Sequence, residues 1–178
     1  MAYKRKKQVD MSTFPIEKQR EKARSYLVWY LARQMETEHV LRTKLKRKKY
    51  SDSVIDEIIN EFLESIIIDD EAYVTSFMNS TRVENLGKNG IKRKLMEKGV
   101  SDELLESVED DYDQEDDQEK AYDMALRKAQ SFSPDLDYQK KMSRLTGLLS
   151  RRGFPGDIVF STARQVIEET TPDEEGDY

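Results

Sequence analysis

Apolar residues recur along this chain three and four positions apart and nowhere in sustained alternation, a spacing that predicts helices throughout. Val54, Ile55, Ile58, Ile59 and Phe62 give the clearest stripe, at i, i+1, i+4, i+5 and i+8. The run Ile66-Ile67-Ile68 is β-branched but too short for a strand and falls in a join between helices. A second regularity lies over the first. Residues 41–55 align without a gap on residues 91–105, with apolar positions coinciding at 41/91, 45/95, 50/100, 54/104 and 55/105, and then at 58/108. A third copy carries Leu145, Leu149, Arg152, Gly153, Phe154, Ile158 and Val159.

Each copy reads as a short helix, a stop and a second helix. Leu41/Leu45, Ile91/Leu95 and Leu145/Leu149 are one turn apart and share a face. Gly99 and Gly153 stand where a left-handed residue ends a helix, and the next residue, Val100 or Phe154, folds back over the last turn. Lys49 takes the equivalent place in the first copy, where positive φ costs about 1 kcal/mol relative to glycine. Ser51 and Ser101 offer N-caps, and Pro155 starts the corresponding helix of the third copy.

A further helix precedes each pair, at about 15–35, 70–83 and 118–131. The first buries Ala23, Tyr26, Leu27, Tyr30 and Leu31, with Thr37 capping the helix after it; Tyr73 and Phe77 belong to the core of the second. The fold class is therefore all-α, in three tandem three-helix repeats. The expected division is a basic, disordered arm at 1–14, repeats at 15–68, 69–113 and 114–170, and an acidic disordered tail at 171–178.

Composition supports a thin shared core rather than a deep one. Apolar residues make up 37% of the chain and charged residues another 37%. Without cysteine, disulfides, thiolate metal sites and cysteine nucleophiles are excluded. No apolar run can span a bilayer, and no apolar segment follows the basic start, so the cytoplasm is the expected compartment. The net charge of −6 hides an asymmetry: residues 1–50 hold 15 Lys or Arg against 5 Asp or Glu, whereas 109–119 hold eight acids and no base.

No phosphate loop, nucleophile elbow or metal-binding histidine pair is present, so catalysis and cofactors are not expected. His39, the lone histidine, reads as a surface residue on a helix's first turn. Tyr3 belongs to the arm rather than to a stacking site. Trp29 lies off the buried stripe, nearly opposite Tyr30 and Leu31, and either packs on a neighbouring repeat or anchors a partner. Asp110, Asp111, Asp113, Asp116 and Asp117 lack cation-loop spacing and read as a solvated linker or helix face, with mimicry of nucleic-acid charge as the alternative. The candidate partner-facing or phosphate-facing residues are Lys44, Arg47, Lys48, Lys92, Arg93, Lys94, Lys98, Arg151 and Arg152, which recur in all three copies.

The stretch from Ile68 to Phe77, followed by Gly87 to Val100 with its Lys98-Gly99 ending, resembles the central signature of the RecX family, regulators of the bacterial recombinase RecA. The segment from Ala32-Arg33 through Leu45 resembles the family's first repeat, and Leu148 to Phe154 its last, so the likeness runs from about Lys22 to Glu169. Three isoleucines, 66 to 68, stand where the family often has a glycine. The resemblance implies that the three tandem three-helix repeats form an elongated curved array, which docks in the groove of the RecA filament on single-stranded DNA and blocks assembly, strand exchange and co-protease activity. A monomer, with a possible weak direct contact to DNA, is expected beside it. The rival from another class is a helical protein that binds single-stranded nucleic acid without RecA.

Overall fold

A computed structural model describes residues 10–110 and 114–170 of the 178-residue chain. The expected tail, most of the arm with Tyr3, and Asp111 and Asp113 of the acidic segment lie outside the described residues. Among the described residues there are nine α-helices and no strand. They run α1 (Ile16–Leu31), α2 (Glu38–Arg47), α3 (Asp52–Glu64), α4 (Asp70–Met78), α5 (Lys88–Glu97), α6 (Asp102–Asp110), α7 (Gln114–Ala129), α8 (Tyr138–Arg152) and α9 (Gly156–Thr170). In sequence order they form three triplets, the helical repeat expected from the periodicity.

Packing gathers the described residues into two compact units, one within 1–76 together with 97–101 and one within 77–96 together with 102–178. In the first, α1, α2 and α3 enclose a core of Ala23, Leu27, Leu41, Leu45, Val54, Ile55, Ile58, Ile59 and Phe62. The predicted stripe of α3 is buried in full. Structure begins earlier than expected: Asp10 caps a 3-10 turn at Met11–Thr13, the Met11 side chain enters the core, and its amide donates to Lys48 O at 3.2 Å. Burial of one methionine, about 2 kcal/mol of apolar transfer, explains why this part of the arm is held. The core of the second unit is built from Ala121, Ala125, Leu145, Leu149, Phe154, Ile158, Val159, Ala163, Val166 and Ile167 of α7, α8 and α9.

Helix ends follow local chemistry. The Thr37 hydroxyl accepts from Val40 N, and the Asp137 carboxylate from Lys140 N at 2.9 Å. Pro155 precedes α9 instead of starting it, one residue from its expected place. Gly153 ends α8 at φ +84°, with the Phe154 amide reaching back to Leu149 O. Lys49 adopts the same turn at φ +62°, with Tyr50 N on Leu45 O, so the lysine accepts the strain. Its ammonium pairs with Asp10 at 2.7 Å.

The end of α3 repeats the motif with an isoleucine in the left-handed position. Ile66 has φ +54°, and Ile67 N donates to Phe62 O at 2.9 Å. A β-branched residue is strained there, and Ile66 is 76% exposed, so little burial compensates. Ile66→Gly is expected to raise stability by about 1 kcal/mol, read as a higher urea midpoint at unchanged slope.

Candidate functional site

The candidate basic residues fall into two groups, one in each unit. In the first unit, Lys44 and Lys48 leave α2 one turn apart and lean on aromatic rings of α1. Lys44 Nζ lies 4.5 Å from the centre of the Tyr30 ring, and Lys48 Nζ 4.4 Å from that of Tyr26. Arg33, at the end of α1, places its guanidinium 4.0 Å from the centre of Trp29 and donates to the Trp29 carbonyl oxygen. Tyr26 stacks on Trp29 with centroids 6.5 Å apart, and lies 6.0 Å from Tyr30. Trp29 is thus not on the far side from the tyrosines, as its place off the stripe suggested. It continues their ladder and is 54% exposed.

The signal was present in the sequence. Tyr26, Trp29, Tyr30 and Arg33 stand at i, i+3, i+4 and i+7, neighbouring positions along one side of a helix. The two tyrosines continue the apolar stripe, which marks them as core in the sequence. They are only partly buried, and each presents a ring face to a cation.

Another set of α1 cations behaves differently. Arg20 pairs with Glu57 and Arg24 with Glu61, both carboxylates supplied by α3. Arg42 of α2 is held between Glu38 and Asp56. These positive charges are matched by carboxylates within the unit. Those of Lys44, Lys48 and Arg33 rest over rings, which polarise toward a cation but carry no net charge. The strip keeps its positive potential, whereas the Arg20–Arg24 row is neutralised. Arg47 is exposed close by on the last turn of α2.

Lys98 has a different role from its repeat mates. Its ammonium hydrogen-bonds both oxygens of Glu36, at 3.0 and 2.8 Å, and lies 5.8 Å from the centre of the Tyr73 ring. Burial opposes its charge, but the Glu36 carboxylate, aided by Tyr73, outweighs that and raises its pKa. The Lys98 carbonyl accepts from the Thr37 hydroxyl at 2.5 Å, and Gly99 behind it lies against the His39 ring, where a Cβ would come within 2.2 Å. Lys98 therefore serves a junction between the start of α2 and the turn after α5. His39 is an exposed first-turn residue, as expected, and borders that junction. Asp70 completes it by accepting from Glu38 N at 2.9 Å; burial pushes its carboxyl pKa up.

In the second unit, Lys92, Arg93 and Lys94 are exposed on α5, and Arg151 and Arg152 on the last turn of α8. Arg93 Nη2 donates to Arg151 O at 3.0 Å, which brings these two clusters together. The same kind of junction holds them. Gly87 N and Asn89 N, at the start of α5, donate to Arg152 O and Gly153 O at 3.1 and 3.0 Å. Gly90 packs so closely that a Cβ there would meet Arg152 O at 2.1 Å. The acidic segment is not wholly solvated: Asp117 is buried and accepts from Lys88 N at 3.1 Å, a cap on the positive end of α5. Asp116 is paired with Lys120 on α7. Among the described residues no His, Asp or Glu group is arranged to hold a metal, and no helix is long and apolar enough to cross a membrane.

Comparison with known proteins agrees with this arrangement. The pattern of the first three-helix domain of RecX matches residues 23–62, and that of the third matches residues 114–162. The regulatory protein RecX of Streptomyces coelicolor is 28% identical over 156 residues, covering 87% of this chain and 82% of that protein. The regulatory protein RecX of Streptococcus uberis is 31% identical over 133 residues, 74% of this chain; the chain spans only 50% of that relative's length. Among solved structures, RecX from Lactobacillus salivarius superposes with a TM-score of 0.66 at 26% identity, covering 84% of this chain and 97% of that one.

Proposed function

Because the chain belongs to the RecX family, we propose that it is a non-catalytic regulator that binds the RecA filament on single-stranded DNA and lowers its recombinase, ATPase and co-protease activities. It works in the bacterial cytoplasm as a monomer, without a cofactor, within the SOS response and recombinational repair. The repeats at 15–68, 69–113 and 114–170 each contribute helices to the docking body. The observation that carries the reading is the basic strip of Lys44 and Lys48, whose ammonium groups rest on the Tyr30 and Tyr26 rings and have no carboxylate partner among the described residues; Arg47 is exposed on the last turn of the same helix. The filament and its DNA present a polyanionic groove, and a strip whose charges rest on rings meets it without first breaking ion pairs. Lys92, Arg93, Lys94, Arg151 and Arg152 form the second contact set. Lys98, held by Glu36, is left out of both.

The test is the DNA-dependent ATPase and strand exchange of RecA from the same source, with the chain added at equimolar amounts. Inhibition is expected, weakened about tenfold or more when Lys44, Arg47 and Lys48 are all changed to Glu. No effect of the unaltered chain on either assay would overturn the reading.

A further inference from the structure

We infer that the ladder of Tyr26, Trp29 and Tyr30 is a binding site for single-stranded nucleic acid, in which unpaired bases stack on Trp29 while Arg33, Lys44 and Lys48 take the phosphates. The site shares Lys44 and Lys48 with the strip proposed to face the RecA filament, and its test is carried out without RecA.

Two properties meet here that a phosphate-binding surface alone does not need. The first is an exposed indole whose ring carries the Arg33 side chain, a cover that an incoming base can displace. Trp29 is the largest aromatic on the surface of the unit, and its ring is steadied by Tyr26 on one side and by Arg33, whose guanidinium is tied to the Trp29 carbonyl oxygen. A buried tryptophan would report packing; one 54% exposed and held in place is an anchor awaiting an aromatic partner. The second is the alternation of ring and cation along α1 and α2: Lys48 on Tyr26, Lys44 on Tyr30, Arg33 on Trp29, at 4.4, 4.5 and 4.0 Å. Each cation is parked where a phosphate can take it over as a base takes its place on the ring.

Single-stranded nucleic acid offers both groups in the same alternation, base and phosphate, nucleotide after nucleotide. A duplex offers the phosphates but hides the base faces in its stack. An acidic peptide offers carboxylates with no flat partner for Trp29. The neutralised Arg20 and Arg24 row, paired with Glu57 and Glu61, confines the potential to the ladder.

Trp29 is the chain's only tryptophan, so its fluorescence reports the contact directly. The full chain is titrated with oligothymidylate, with an abasic strand of equal length, with the corresponding duplex and with polyglutamate. Oligothymidylate is expected to quench the indole and to bind about tenfold or more tighter than the abasic strand, which leaves the indole unquenched. Trp29→Ala is expected to bring oligothymidylate down to abasic affinity with its salt dependence unchanged, and Trp29→Phe to recover part of the loss. Changing Lys44 and Lys48 to Gln should lower the slope of log affinity against log salt by about 1.4. Equal binding of abasic and base-bearing strands by the unaltered chain would overturn the proposal and leave a phosphate surface. Tighter binding of duplex or polyglutamate would overturn it in favour of another partner. The strand comparison needs no variant, so it stands even if a substitution disturbs folding, and its outcome is separate from that of the RecA assays.

Discussion

Alanine at Gly153 is expected to destabilise the protein by about 3 kcal/mol or more, the sum of a left-handed backbone and an overpacked contact. Gly153 has φ +84°, where a Cβ alone costs about 1–2 kcal/mol. The added carbon would also fall 2.0 Å from Gly90 N and 2.4 Å from Gly90 Cα, which are backbone atoms that no rotamer change can move. Relief requires parting the start of α5 from the turn after α8, with loss of the Gly87 N–Arg152 O and Asn89 N–Gly153 O bonds. Gly147, six residues earlier within α8, is the internal control. A Cβ there meets only the end of the Arg151 side chain, at 3.2 Å, so Gly147→Ala should stabilise by about 0.5–1 kcal/mol through helix propensity. Urea unfolding of the two variants should therefore move in opposite directions. A Gly153→Ala protein as stable as the parent would show that the junction is not as tight as described.

Lys98→Met is expected to cost about 2 kcal/mol, because it leaves the Glu36 carboxylate, 9% exposed, without its cation. The figure sits below that for a fully buried pair because Lys98 itself is 33% exposed. The pH dependence has a definite sign. The folded-state pKa of Lys98 is raised above its usual 10.5, so the pair's contribution is complete at neutral pH and is lost as pH rises past 10.5 through the folded value. The stability gap between parent and variant should hold steady through neutral pH and close only in strong alkali. The RecA binding proposed above is expected to be unchanged for the folded variant, since the Lys98 ammonium is held by Glu36. A variant with full stability but weakened binding would return Lys98 to the docking surface.

The sequence carried those parts of the fold that are set within one or two turns. The apolar spacing of 54, 55, 58, 59 and 62 became the buried face of α3, and Thr37 capped α2. Glycine at 99 and 153 gave the left-handed turns. What it could not carry depends on residues far apart along the chain. Nothing near Lys98 distinguishes it from Lys48: both end a short helix next to a left-handed residue. One is turned inward only because Glu36, 62 residues away, lies opposite. Asp117 looked like one acid among eight, and its burial is set by the start of α5, 29 residues earlier. Gly87 and Gly90 gave no cue beyond their identity, since the surface they fit belongs to Arg152, Gly153 and Phe154. Ile66 shows the opposite case, a local preference overridden, with a β-branched residue held left-handed at the end of α3. The aromatic ladder was legible in principle; its i, i+3, i+4, i+7 spacing was obscured because two of its members also continue an apolar stripe.

Neither compact unit is a continuous stretch of chain. The first borrows residues 97–101, which carry the carbonyl that receives the Thr37 hydroxyl and the ammonium that satisfies Glu36. During translation, α1 to α3 can collapse as soon as they leave the ribosome, but the start of α2 stays unfinished until Ser101 has emerged. A nascent chain stalled just short of that point should remain open to protease near Glu36 and His39, and one stalled beyond it should become resistant there.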